Sequence, residues 1–218
     1  MLQASSKQYL SIGILASIIV GIGEYLLHYT PEGPEGEIAM LEVVPLARAS
    51  IGHFLVVFGA PLYFLGYYGI EKMFHSTSAI LARSIFFLGV LAFSIGGVWV
   101  SSRYFAAEVL QGTAGTPYHE KFLASYEYHY QSLVWVLRIL VLAISAIYII
   151  LVLKNIIGIP KWIAILNPIV LLAIAISSLF WMKPIGVHIA PIAMNAVHFI
   201  VFIILRRPNR ASKLYRNK

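Results

Sequence analysis

Residues 132–153 read SLVWVLRILVLAISAIYIILVL, a run of 22 residues in which Arg138 is the only charged side chain. An α-helix rises about 1.5 Å per residue, so this run reaches about 33 Å and can cross the roughly 30 Å hydrocarbon core of a bilayer. Five further apolar runs predict spans at about 8–28, 50–70, 79–102, 161–182 and 187–205. The sequence therefore predicts an all-α polytopic membrane protein, a bundle of six transmembrane helices.

The composition agrees with this prediction. Hydrophobic residues make up 60% of the 218 residues and charged residues only 11%, whereas a soluble domain carries about 25% charged residues. One bundle uses the whole length, so we expect a single transmembrane domain over 1–218. The absence of cysteine excludes disulfides, thiolate zinc sites and iron–sulfur clusters.

The distribution of basic residues predicts the orientation. An even number of spans puts both termini on one side, and cytoplasmic segments carry an excess of Lys and Arg. With both termini in the cytoplasm, eleven basic residues lie inside, six of them in the tail 206–218, and the outer loops hold only Arg48, Arg103, Lys121 and Lys183. We therefore predict cytoplasmic N and C termini in the plasma membrane of a bacterium or archaeon. The basic tail after an apolar run favours anchoring to anionic lipid over nucleic-acid binding.

Two outer loops are long. The first, 29–49, opens with the turn-rich stretch Thr30–Gly36, which excludes regular helix there. Its second half, Ile38–Leu46, is apolar enough to be expected along the membrane surface. The other long loop breaks at Gly112–Pro117, and the helical pattern on both sides predicts a hairpin that extends beyond the bilayer. Three prolines fall inside spans, where we expect kinks: Pro61, Pro168 and Pro191.

Ionisable residues concentrate towards the predicted outer face. Glu24 lies one helical turn below His28 on the same face, and a carboxylate at that depth requires a partner, a proton or a wet cavity. Arg138 is the predicted partner. On the fourth span Glu127, Gln131 and Arg138 are separated by four and seven residues, which places them along one stripe.

These residues predict a polar pocket in the extracytoplasmic half of the bundle. Its predicted binding residues are Glu24, His53, Arg103, Glu127, Gln131, Arg138, Asn195 and His198. Glu24 and Arg138 are the catalytic candidates. A divalent metal such as zinc, which takes nitrogen and oxygen ligands, would be held by Glu24, His28, His53 and His188.

A structural interpretation of the same residues stays open. Histidine at a membrane interface is common because half of its side chain is hydrated there. Asn195 and His198 are equally well explained as hydrogen-bonding groups between helices, and Glu24 with Arg138 as a buried structural pair.

One resemblance is carried by the stretch Gly23-Glu24-Tyr25-Leu26-Leu27-His28-Tyr29 together with Gly52-His53 and 59–66 (GAPLYFLG). These motifs resemble those of an uncharacterised family of small multi-pass bacterial membrane proteins, over the first third of the chain. The resemblance implies a carboxylate at position 24 and a histidine at position 53 as shared features. It implies no activity.

Several functions remain open at this stage. The first is a membrane-embedded enzyme acting on a lipid or amphiphile, with Arg138 binding an anionic headgroup. The second is a non-enzymatic binding, sensing or accessory subunit with membrane lipid or a small molecule as its ligand. A transporter or channel needs a polar route to both sides, which the apolar inner halves of the spans disfavour. A haem protein is a fourth alternative, and the oligomeric state is left open.

Overall fold

The computed structural model describes residues 2–29, 38–182 and 184–207, with side chains from Ser6 onward. Within these ranges the chain is helical, with turns and no strand. The α-helices are α1 Leu2–His28, α2 Leu46–Gly59, α3 Leu62–Phe74, α4 Ala79–Thr113, α5 Pro117–Lys154, α6 Pro168–Trp181, α7 Gly186–Ile189 and α8 Ala193–Arg206. Short 3₁₀ helices cover Ala39–Glu42, Lys161–Leu166 and Ala190–Ile192. Met1, the stretch 30–37, Lys183 and the tail from 208 lie outside the described residues.

In the part of the chain that the structure describes, five helical segments are long and apolar enough to cross a membrane. They are Ser6–His28, Leu46–Phe74, Ala79–Thr113, Pro117–Lys154 and Gly186–Arg206. The prediction of an all-helical, membrane-embedded protein is confirmed to this extent. The predicted span 161–182 is different, because it contains a 3₁₀ helix and then α6, whose 14 residues reach only about 21 Å.

The division of that segment has a local cause at Asn167-Pro168. The Asn167 side chain accepts hydrogen bonds from the backbone N–H groups of Ile169 and Val170, which makes it the N-cap of α6. Pro168 occupies the first turn, where its missing N–H costs nothing. Proline also divides the second predicted span, since α2 ends at Gly59 and α3 begins after Pro61.

Glycine allows α1 to approach α2 and α3 closely. A Cβ atom built on Gly52 would lie 2.6 Å from the carbonyl oxygen of Gly23, and one on Gly66 would lie 2.8 Å from Cα of Gly13. Real Cβ atoms do not make such contacts, so only glycine fits. Small residues at helix crossings let backbones pack tightly in membrane proteins, and here they fix α1 along the α2–α3 pair.

The long helices follow one another in a ring. α1 packs on α2 and α3 on one side and on α8 on the other, α3 packs on α4, and α4 packs on α5. α6 packs on α8 but contacts α5 much less. The ring is therefore weakest between α5 and α6.

The predicted hairpin is formed by α4 and α5. They contain 35 and 38 residues and reach about 52 and 57 Å, well beyond the thickness of the hydrocarbon core. The apolar half of the first outer loop packs against this hairpin, with Leu41 and Val44 buried. The side-chain amide of Gln111 donates to both of their carbonyl oxygens at 2.9 Å. These apolar side chains are thus covered by protein.

Candidate functional site

Five of the predicted pocket and metal residues are buried within the bundle. The exposed fractions are 7% for Glu24, 4% for His28, 2% for Arg103, 4% for Asn195 and 3% for His198. They come from α1, α4 and α8, so the bundle buries polar groups that the sequence places far apart.

A hydrogen-bonded chain links three of the helices. The Asn195 amide on α8 donates to the Glu24 carboxylate on α1, and its Oδ1 accepts from the hydroxyl of Tyr63 on α3 at 2.7 Å. Tyr63 is not among the residues predicted from the sequence. Its spacing of four from Tyr67, which places both on one face of α3, is the signal that could have identified it.

His198 forms the neighbouring link between α8 and α3. Its Nδ1 lies 2.8 Å from the Met194 carbonyl oxygen, which can only accept, so this nitrogen carries the proton. Nε2 therefore accepts from the Tyr67 hydroxyl at 2.8 Å. With both ring nitrogens bonded and the ring of Phe93 4.8 Å away, His198 serves as a hydrogen-bonding group between helices.

Arg103 is buried on α4, towards the α4–α5 hairpin. Its Nη2 donates to the Tyr130 hydroxyl at 2.8 Å, and its guanidinium lies 4.4 Å from the centre of the Trp99 ring, a favourable cation–π distance. Arg103 is also near enough to His28 to act on it electrostatically. His28 thus lies one helical turn after Glu24 on α1 and within electrostatic range of Arg103.

The predicted stripe on α5 faces outward. Glu127, Gln131 and Arg138 are all exposed, and the Arg138 guanidinium lies 4.7 Å from the Trp135 ring. The structure does not support the predicted pairing of Arg138 with Glu24, because Glu24 is buried and linked through Asn195 to α8 and α3, while Arg138 is exposed and lies over the Trp135 ring. The three residues share a stripe, as their spacing requires, but it does not line the buried cluster.

The structure does not support the predicted metal site. His53 is half-buried and turns towards α4, where its Nδ1 donates to the Ser101 carbonyl oxygen at 2.9 Å. His188 lies at the surface, hydrogen-bonded through Nδ1 to the Tyr25 hydroxyl at 2.8 Å. Among residues 2–29, 38–182 and 184–207, no three His or acidic side chains lie close enough to hold a metal ion. Glu24, His28, His53 and His188 are thus not assembled into a zinc site.

A cavity of about 720 Å³ lies at the opposite end of the bundle. It is formed where α1 starts, α3 ends, α4 starts and α8 ends, and we call it the inner-end cavity. It is lined by Ser6, Lys7, Tyr68, Glu71, Lys72, Met73, His75, Ser76, Arg83, Phe86, Phe87, Ile157, Leu205 and Arg207. The pocket predicted from the sequence lies in the other half of the molecule and stays a prediction.

The lining of the inner-end cavity combines positive charge with apolar surface. Among the described residues, four cationic side chains contribute to it, against one carboxylate, that of Glu71; the cations are Lys7, Lys72, Arg83 and Arg207. That carboxylate is 8% exposed and accepts a hydrogen bond of 2.6 Å from His75 Nδ1. The arrangement can bind a group that is anionic at one end and apolar at the other.

The sequence contains the basic residues of this cavity, but they were interpreted only as markers of orientation. Lys72 follows Glu71 at the end of α3, and its ammonium lies 5.1 Å from the Tyr68 ring. Arg83 comes one turn into α4. Such residues are frequent at helix ends in membranes, so the sequence alone does not distinguish lining residues from anchors.

Comparison with known proteins identifies a family but no function. The profile described as "Family of unknown function (DUF6796)" matches residues 1–206. No curated protein and no solved structure shows significant similarity to the chain. The match agrees with the resemblance to an uncharacterised family and extends it beyond the first third, while the bacterial origin stays a prediction. The chain belongs to the Family of unknown function (DUF6796).

Proposed function

We propose that this protein is a non-enzymatic membrane protein that binds an anionic amphiphile, such as a phosphate-bearing lipid, in the inner-end cavity. The observation that carries the proposal is the lining itself: four cations and aromatic side chains around one cavity of about 720 Å³. Ligand cavities in proteins commonly measure 300–1,000 Å³ and combine apolar walls with a few polar groups.

The charges favour an anionic headgroup. Lys7, Lys72, Arg83 and Arg207 exceed the single carboxylate of Glu71, which is already engaged by His75. Each Lys or Arg near a membrane surface contributes about 1 kcal/mol of attraction to anionic lipid. Arginine also suits phosphate oxygens because its N–H groups can bind two of them at once.

The apolar part of the lining favours an amphiphile over a free anion. Phe86 and Phe87 lie on α4, and Leu205 and Ile157 contribute from the end of α8 and the loop after α5. Phe87 is 65% exposed, which makes it accessible to acyl chains at the outside of the bundle. A headgroup among the cations would thus leave its chains against this surface.

We also propose that the bundle has six spans with both termini in the cytoplasm, in the plasma membrane of a bacterium or archaeon. The 3₁₀ helix and α6 together cover Lys161–Trp181, and the two are consecutive, so this segment supplies the sixth crossing. The cationic residues of the cavity then lie on the cytoplasmic side, in keeping with the positive-inside rule.

Reporter fusions test this orientation. Fusions after Lys218 and within 156–158 are expected to report a cytoplasmic location. A fusion near Gly115, at the tip of the α4–α5 hairpin, is expected to report the exterior. A cytoplasmic signal at Gly115 would overturn both the orientation and the assignment of the cavity to the inner leaflet.

The binding proposal is tested by removing two of the cations. In nanodiscs of phosphatidylcholine with increasing phosphatidylglycerol, Lys72→Gln with Arg83→Gln is expected to weaken phosphatidylglycerol binding about 30-fold, since each charge contributes about 1 kcal/mol. Bound lipid is counted by native mass spectrometry, and thermal unfolding checks that the fold is kept.

The matched control removes two cations outside the cavity. Lys121 and Lys154 are exposed and do not line the cavity, so Lys121→Gln with Lys154→Gln changes the net charge equally. This variant is expected to bind phosphatidylglycerol within about twofold of the unmodified protein. Equal losses in the two double variants would mean that total charge, not the cavity, attracts the lipid.

A further inference from the structure

One face of α5 packs against α6 at one end and is exposed at the other. Gln131, Arg138 and Ser145 are seven residues apart, so they lie on the same helix face. Ser145 is buried, and its hydroxyl accepts a hydrogen bond of 3.1 Å from the Ile169 N–H of α6. Arg138 and Gln131, further towards the hairpin, are exposed. The same face that meets α6 at Ser145 is thus uncovered two turns away.

The length of α6 does not explain this exposure. α6 continues from Ile169 to Trp181, about 18 Å, whereas Arg138 lies only about 10 Å from Ser145 along α5. On α6, Ile176 is the residue at that level, and it is 46% exposed. Both helices thus carry exposed side chains at this level, and we call the surface formed by Gln131, Trp135, Arg138 and Ile176 the α5–α6 crevice.

An exposed arginine charge at the depth of Arg138 is energetically unfavourable in a membrane. It lies 16 residues before Lys154, the end of α5, which is about 24 Å along a helix and within the roughly 30 Å core. An arginine at such a depth requires an anion or a polar environment. Its guanidinium lies over the ring of Trp135, one turn nearer the α5 N-terminus, so the charge is directed towards the nearer membrane surface.

We propose that the α5–α6 crevice binds the anionic headgroup of a lipid in the leaflet opposite the inner-end cavity. Arg138 donates to the phosphate oxygens, and the Gln131 amide can add a donor on the same stripe. The acyl chains lie on the exposed side chains of Ile139 and Leu142, which are 63% and 57% exposed. This site is independent of the inner-end cavity.

Two other occupants fit less well. A second copy of the chain in the same orientation would bring Arg138 against the Arg138 of its neighbour, at equal depth, and like charges repel. A partner helix with a carboxylate would compensate the charge. However, the guanidinium points along α5 towards the surface, where lipid phosphates lie.

Quenching of Trp135 fluorescence tests the proposal. Trp135 is 61% exposed, and the difference between the unmodified protein and Trp135→Phe isolates its signal. Acyl-brominated phosphatidylglycerol is expected to quench it with about fivefold higher apparent affinity than brominated phosphatidylcholine, as one charge predicts. Arg138→Gln should abolish this preference, and Arg138→Lys should keep most of it.

The variants also separate the two sites. The double variant Lys72→Gln/Arg83→Gln changes only the inner-end cavity. In this variant, brominated phosphatidylglycerol should still quench Trp135 with the higher apparent affinity. Equal quenching by both lipids, or a preference that survives in Arg138→Gln, would overturn the proposal. If neither brominated lipid quenches Trp135 in native membranes, a protein covers the crevice. That result would also contradict the lipid assignment.

Discussion

Replacing Arg103 with leucine is expected to lower the free energy of unfolding by about 3–5 kcal/mol, because removal of one member of a buried charged pair leaves the other uncompensated. We infer that Arg103, in place of Arg138, is the counter-charge of Glu24. Both side chains are more than nine-tenths buried. Glu24 precedes His28 by one turn of α1, and Arg103 acts on His28 electrostatically. Arg103→Leu would also remove the contacts with Tyr130 and Trp99. Unfolding in detergent, followed by circular dichroism, measures the loss.

The double variant and a surface control make this result specific. Glu24→Gln alone should also lower the free energy of unfolding. In the double variant Glu24→Gln/Arg103→Leu, this free energy should fall by less than the sum of the losses in the two single variants. Arg138→Leu removes an arginine that is exposed at an unfavourable depth and should not lower the stability. Strictly additive losses, or a loss in Arg138→Leu as large as in Arg103→Leu, would contradict the pairing.

Alanine at Gly52 is expected to destabilise the protein by about 1–3 kcal/mol, the usual cost of overpacking. The added Cβ would lie 2.6 Å from the Gly23 carbonyl oxygen, and a backbone atom cannot rotate away as a side chain can. α1 would have to move from α2, which disturbs the α1–α2 crossing. Thermal unfolding in detergent provides the measurement, and Gly52→Val should cost more.

Gly112 provides the matched control for the same substitution. It lies in the last turn of α4 with no atom within 4 Å of an added Cβ. Alanine is up to about 1 kcal/mol more favourable than glycine in a helix, so Gly112→Ala should leave the stability unchanged or raise it. Destabilisation by Gly112→Ala equal to that by Gly52→Ala would rule out close packing as the cause.

The lengths of the apolar runs in the sequence predicted most of the fold. The run 132–153 and the helical pattern before it correspond to the single helix α5, and the break at Gly112–Pro117 corresponds to the hairpin turn. The exception is 161–182, where hydropathy does not distinguish continuous helix from a helix that restarts at an N-cap. Asn167-Pro168 is a known start signal, but it has little weight within a continuous apolar run.

The candidate site was predictable only in part. Sorting residues by depth placed Glu24, Asn195 and His198 inside the bundle, because polar groups inside a membrane generally face protein. Arg103, which was counted among the residues of the outer loops, is buried on α4 instead. The sequence did not predict what Arg138 faces. The apolar run of α5 has apolar residues on every side of the helix, so the spacing of its polar residues places them on one stripe but does not show what that stripe contacts. The inner-end cavity joins segments from Ser6 to Arg207, and no local pattern encodes such a space.

The binding of an anionic amphiphile in the inner-end cavity is tested most directly by covalent mapping. A phosphatidylglycerol analogue with a photoreactive group in its headgroup is crosslinked to the protein in nanodiscs, and the labelled peptides are identified by mass spectrometry. We expect labels concentrated at 68–76 and 83–87, competed by unlabelled phosphatidylglycerol and strongly reduced in Lys72→Gln with Arg83→Gln. Labelling that avoids both segments, or that persists in this variant, would contradict the account.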